Sequence, residues 1–124
     1  MSLLVLRAYL ELIHFDLYLA RRDFAVLRRK VQDYPIERAR SSPDLVQKIC
    51  AAMDIASIFY WKEVLCLQRS SATTCLLRHH GVPAQMVIGV RQMPFKAHAW
   101  VEVWGQVVND RPYIPSIYTL LDKC

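Results

Sequence analysis

The stretch CLQRSSATTCLLRHHGVPAQMVIGVR, Cys66 to Arg91, changes its period halfway along. From Cys66 to about His80 it reads as a helix, and Gly81 supplies the left-handed residue on which helices close. From Ala84 to Val90 the period drops to two, which marks a strand. Beside Cys66 the helix surface is made of small residues, Ser70, Ser71, Ala72, Thr73 and Thr74. A helix with such a surface lies close to the sheet that follows it. Side chains on that sheet then come within reach of the helix start.

Outward from this switch, the two directions differ in kind. Downstream, Phe95 to Trp104 and Val107 to Asp110 read as two further strands, giving an antiparallel meander. Upstream, the pattern is helical. Leu3, Leu4, Leu6, Leu10, Ile13 and Leu17 repeat along Ser2 to about Ala20. A second helix runs from Arg22, after a break near Arg21, to about Tyr34, where Pro35 ends it. Residues 35–42 are polar loop. Ser42-Pro43-Asp44 then opens a third helix, to about Tyr60, with Ser as cap, Pro in the first turn and Asp at the positive end. Helices followed by a small antiparallel sheet define an α+β fold. At 124 residues the expectation is one domain, 1–124, with N-terminal helices over 1–42 and the chemistry in 43–124.

Composition narrows the class. Apolar residues make up 54% of the chain and only three residues are Gly, so a core is affordable and disorder is not expected. Lys and Arg number 16 against 11 Asp and Glu, a formal net charge of +5. Arg21, Arg22, Arg28, Arg29, Lys30, Arg38 and Arg40 cluster, but no nucleic-acid motif accompanies them, and they read as a solvated helix face. Arg7, Glu11, His14 and Asp16 interrupt the apolar first helix, which counts against a membrane span. Without a charged leader region or a small-residue cleavage site, the reading is cytoplasmic. That first helix either completes the core or docks a partner.

Cys50, Cys66, Cys75 and Cys124 fit no disulfide framework or zinc spacing, so free thiols in a reducing compartment are expected. Cys66 and Cys75 stand on opposite faces, since nine helical steps turn about 900°. Cys50 and Cys75 read as buried residues and Cys124 as a tail thiol. Cys66 differs because it begins a helix. There the unpaired N–H groups and the positive end of the dipole favour thiolate and can receive a developing oxyanion. His98 lies in FKAHAWVEVW, Phe95 to Trp104, where alternation puts it on one face with Trp100, Glu102 and Trp104. Ala97, Ala99, Val101 and Val103 take the other, apolar face. Asp110 closes the next short apolar run. Taken singly, these are a small buried hydrophobe, a structural histidine and a turn acid. In this order they suit a nucleophile, a base and the group that orients the base. His79 and His80 read as complements to a helix C-terminus.

The runs Cys66–Ser70, Leu76–Ala84, Val87–Arg91, Pro94–Glu102 and Val108-Asn109-Asp110 together resemble the transglutaminase-like cysteine peptidases that remove the leader in lasso-peptide biosynthesis. The likeness is close over about residues 60–110. It implies a papain/transglutaminase-like fold and a triad falling on Cys66, His98 and Asp110. It also implies a precursor peptide as substrate, a separate small leader-peptide-recognition protein, and an ATP-dependent lasso cyclase that acts afterwards. No cofactor or metal is implied for the peptidase itself. With no room for a fused recognition module, the chain resembles the stand-alone form. Two other readings share these residues: an acyl transferase on the same triad, and a non-catalytic peptide-binding module. For the oxyanion, the Cys66 N–H is one donor. The second is unassigned, with Gln68 and Trp61 near in sequence.

The hairpin makes one sharp geometric demand. A two-residue turn at Gly105-Gln106 would put Asp110 opposite Val101, on the face away from His98. A triad therefore calls for an odd loop, with Val103 opposite Val107, or for a bulge.

Overall fold

In the computed structural model, which describes residues 2–37 and 43–124, four helices precede the sheet as the periodicity predicts. They are α1 Ser2–Ala20, α2 Phe24–Gln32, α3 Pro43–Phe59 and α4 Cys66–His79. The break before α2 is local chemistry. Arg22 takes a positive φ of 54°, and the Asp23 carboxylate caps α2 by accepting from the Val26 N–H at 3.2 Å. The expected Ser42 cap of α3 and part of the 35–42 loop lie outside the described residues.

Helix α4 sits at the centre. Its residues from Ser70 to Arg78 are buried, and α1 and α3 pack on it opposite the sheet. The small residues singled out above allow that double contact. Ser71 Oγ meets the sulfur of Met86 at 3.2 Å, and Thr73 Oγ1 folds back onto the Arg69 carbonyl at 2.7 Å. Gly81, at φ 83°, closes the helix. The Val82 N–H donates to the Leu77 carbonyl and the Gly81 N–H to the Arg78 carbonyl, both at 3.0 Å, the paired closure that a left-handed residue permits. Arg78 is 7% exposed. Its guanidinium donates to the carbonyls of Ala84 at 2.8 Å, of Tyr34 at 3.4 Å and of Val31. A buried cation is thus held by the C-terminal end of α2, where negative partial charge collects. It ties α2, α4 and the start of the sheet together.

Strands β1 Ala84–Arg91, β2 Lys96–Val103, β3 Gln106–Val107 and β4 Thr119–Lys123 form one antiparallel sheet in the order β3-β2-β1-β4. One face, with Ala84, Met86, Ile88, Ala99, Val101 and Val103, joins the main core. The other, with Val87 and Trp100, is covered by Ile114 of the short helix α5 Ile114–Ile117 and by Tyr118.

Four expectations need correction. The third strand stops at Val107 and does not reach Asp110, for a reason given below. Strand β4 was not expected, because Leu120, Leu121 and their neighbours are mostly exposed on an edge and show no alternation. Cys124 is no tail thiol: it is 6% exposed, and its backbone N–H and C=O exchange bonds with Met86 at 2.8 Å each, continuing the β4 edge. Finally, the apolar row quoted for α1 mostly points outward. Ala8, Leu12 and Phe15 are fully buried, whereas Leu3, Leu6, Leu10, Ile13 and Leu17 are exposed. With both faces apolar, periodicity could not choose between them. No described helix is long and apolar enough to cross a membrane.

Candidate active site

The three candidate residues come from different parts of the fold: Cys66 opens α4, His98 lies within β2, and Asp110 follows β3 by three residues. Cys66 is the first residue of α4 and the one exposed cysteine. Leu65 before it has extended backbone and offers no side-chain cap, and the first turn holds no acid. The first helical bond runs from the Arg69 N–H to the Leu65 carbonyl at 2.9 Å. The N–H groups of Cys66, Leu67 and Gln68 therefore have no helical acceptor. The other thiols are set apart by burial, which pushes Cys75 up to about 12, Cys50 up to about 11, and Cys124 upward as well. None of the three is poised to ionise near neutral pH.

His98 and Asp110 are brought together. His98 Nε2 lies 2.6 Å from Asp110 Oδ2, and the two side chains are 21% and 26% exposed. A carboxylate only accepts, so Nε2 carries a proton, and in the neutral ring Nδ1 presents its lone pair. Asp110 Oδ1 accepts from the Arg111 N–H at 2.7 Å. Burial raises the Asp110 carboxyl, but the His98 hydrogen bond, the Arg111 N–H and the charges of His98 and Arg69 outweigh it and hold it below its ordinary value. Arg69 belongs to the first turn of α4, so a positive charge from that turn bears on Asp110. The Cys66 thiol makes no hydrogen bond to His98 among the described residues.

The hairpin reaches this arrangement by a route the sequence did not suggest. Glu102 pairs with Val107 and Val103 with Gln106, so the turn is two residues long, Trp104-Gly105. Both have positive φ, 50° and 77°, as the tight hairpin turn that matches strand twist requires. The expected odd loop is therefore wrong. Continuing this register would set Asp110 opposite Ala99, on the core face. The ladder instead ends, and the chain bends through 108–110. The Val108 N–H still donates to the Val101 carbonyl at 3.0 Å, but the Val101 N–H turns to the side-chain oxygen of Asn109 at 2.7 Å. The amide of Asn109 donates in turn to Ser70 Oγ at 3.2 Å, one turn of α4 beyond Cys66.

Two more contributors, Tyr118 and Gly89, went unread. The His98 ring stacks on Tyr118 at 5.5 Å and on Trp100 at 6.1 Å, each inclined by 29°. Trp100 is fixed through its indole N–H, which donates to Glu102 at 2.9 Å. Gly89 pairs with His98 and makes the stack possible. A Cβ there would stand 2.7 Å from Trp100 Cη2 and 2.7 Å from Tyr118 Cβ. A glycine inside a strand is a signal of such close approach. Gly89→Ala is expected to cost about 1–3 kcal/mol as an overpacking substitution. Urea denaturation should show the lower midpoint, and one equal to that of the parent would mean the rings yield freely. The Gln68 side chain, by contrast, is engaged away from the helix start. It is 1% exposed, and its amide donates to the Leu12 carbonyl of α1 at 2.8 Å.

Ahead of Cys66 lies an apolar rim of Ile58, Phe59, Trp61 and Leu65, all more than half exposed. A shallow groove lined by Asp54, Ser57, Ile58, Glu63, Val64 and Arg69 opens beside it.

A family model described as Transglutaminase-like superfamily matches residues 9–121. The chain is 51% identical over 47 residues to the microcin J25-processing protein McjB of Escherichia coli, a stretch covering 38% of this chain and 23% of that protein. No solved structure matches the chain.

Proposed function

The chain belongs to the transglutaminase-like superfamily, and on that premise we propose that it is a cysteine peptidase that removes the leader from a lasso-peptide precursor. The observation that carries this reading is the His98–Asp110 pair, 2.6 Å apart, in a chain whose helix α4 opens uncapped on the exposed Cys66. Similarity to a protein named for processing microcin J25 supports a precursor peptide as substrate. In this reading residues 1–124 form one peptidase domain, α1 and α2 preceding a catalytic core over 43–124.

The chemistry follows from the side chains. His98 Nδ1 takes the thiol proton of Cys66, and the sulfur attacks the carbonyl at the leader–core junction. The oxyanion of the tetrahedral intermediate is received by the free N–H groups at the start of α4, with the Cys66 N–H foremost. His98 then returns the proton to the core amine as the C–N bond breaks. Water, deprotonated by the same nitrogen, releases the leader carboxylate and restores the thiol. Asp110 holds Nε2–H throughout, so that Nδ1 always faces the reaction.

Leader binding is assigned to a separate recognition protein, with the ATP-dependent cyclase acting on the freed core. The test is to incubate the purified chain with a leader-bearing precursor, with and without that recognition protein, and to follow products by mass spectrometry. Cleavage at one bond is expected, faster when the recognition protein supplies proximity. Intact precursor under both conditions would refute the peptidase reading, and equal rates would refute delegated recognition.

A further inference from the structure

We propose that Asn109 is a positioning residue: its side-chain amide ends strand β3, ties residues 108–110 to α4 and so holds Asp110 against His98. The role rests on the peptidase reading for its effect on rate, but not for its geometry.

The β2–β3 register, left to run, carries Asp110 to the wrong face. Something must end the ladder between Val107 and Asp110. In an antiparallel hydrogen-bonded pair, two residues exchange both bonds. Val108 and Val101 exchange only one, from the Val108 N–H. The other donor, the Val101 N–H, is taken by Asn109 Oδ1 at 2.7 Å. A side chain has replaced the carbonyl that would have continued the strand, which is how Asx residues compete with regular backbone pairing.

The second bond fixes where the freed segment goes. Asn109 Nδ2 donates to Ser70 Oγ at 3.2 Å, and Ser70 is 1% exposed. One amide thus joins β2, three residues from His98, to α4, one turn from Cys66. Asp110 is the next residue along. An amide offers an acceptor to the strand and, from a separate atom, a donor to the helix hydroxyl. Aspartate would supply acceptors alone and add a like charge beside Asp110.

The test reads Asp110 itself. Its carboxyl is titrated by carbon-detected NMR in the full chain, in Asn109→Ala, in Ser70→Ala and in His98→Ala. The groups bearing on it are His98 from β2, Arg69 from α4 and Arg111 from its own segment. In the parent it titrates below the ordinary aspartate value. Asn109→Ala should raise it to the value seen in His98→Ala, because the carboxylate leaves the ring. Ser70→Ala removes only the tether to α4 and should raise it part of the way. Cleavage rates give the second readout. Asn109→Ala should match Asp110→Ala within about twofold, and the double variant should be no slower than Asp110→Ala alone. A folded Asn109→Ala with an unmoved Asp110 titration, or additive losses in the double variant, would overturn the proposal. Should Asn109→Ala fail to fold, an unmoved titration in Ser70→Ala would overturn the tether. A parent chain that cleaves no precursor would refute the peptidase reading and leave the Asp110 titration to decide the role of Asn109.

Discussion

Replacing Cys66 with alanine is expected to lower precursor cleavage by about 10³-fold or more and to leave the fold unchanged. The two halves have separate reasons. Cleavage through an acyl-enzyme needs the sulfur, and no described neighbour can stand in for it: Cys50 is half-buried and Cys75 and Cys124 are buried. Burial also pushes those three thiols up and away from thiolate. Stability should barely change, because Cys66 is exposed at the first position of α4, where alanine is an excellent helix former. Surface substitutions of this kind fall within about 0.5 kcal/mol. Cys75→Ala is the mirror experiment. It opens a small void between α4 and the core, lowers the melting temperature and keeps the chemistry. Mass spectrometry of the products and circular-dichroism melts of both variants check the pair. A thiol reagent on the native parent should modify Cys66 well before the other three. Cleavage by Cys66→Ala at a rate near that of the parent would place the nucleophile elsewhere.

The helices and the first hairpin were legible because their signals are local. The switch of period at Gly81, the apolar faces of β1 and β2 and the start of α4 at Cys66 each follow from a few adjacent residues. What was not legible depends on partners far along the chain. Strand β4 is held by pairing with β1 and by Arg28 of α2, which binds the Asp122 carboxylate at 3.0 Å through one guanidinium nitrogen and through a second contact as well. Nothing within Thr119–Lys123 announces that. The α1 row failed for another reason: a helix apolar on both faces gives no direction to its moment. In the site, His98 and Asp110 were readable as types in order, but their meeting was argued through the wrong turn. The register rule holds only for a strand that continues, and β3 stops at Val107. The residue that stops it, Asn109, was in plain view as an Asx at the end of a short apolar run, where side-chain capture of a backbone N–H is common.

Asp110→Asn is expected to slow cleavage by about 10²- to 10⁴-fold, the range seen when a base loses its orienting carboxylate. An asparagine fits the same space, so the loss is chemical. Its amide can turn either its oxygen or its NH₂ toward Nε2, and with the NH₂ the imidazole must carry its proton on Nδ1. Nδ1 is then a donor where the thiol needs an acceptor. The same pair gives a signature in stability that does not depend on any substrate. Asp110 titrates below its unfolded value of about 3.9, so between the two values the unfolded chain binds more protons than the native one. Stability from the pair is therefore fully present above pH ~4 and is lost as pH falls through the folded value. In the parent, melting temperature should fall as pH is lowered through that window. In Asp110→Asn that part of the fall should disappear, since no proton is taken up at residue 110, while the contributions of Asp16 and Asp122, also held low by their partners, remain. Melts at matched ionic strength from pH 6 to pH 3 separate the variants. Identical acid limbs would show that Asp110 gains nothing from His98 in the folded chain, and the catalytic pair would then reduce to Cys66 and His98 alone.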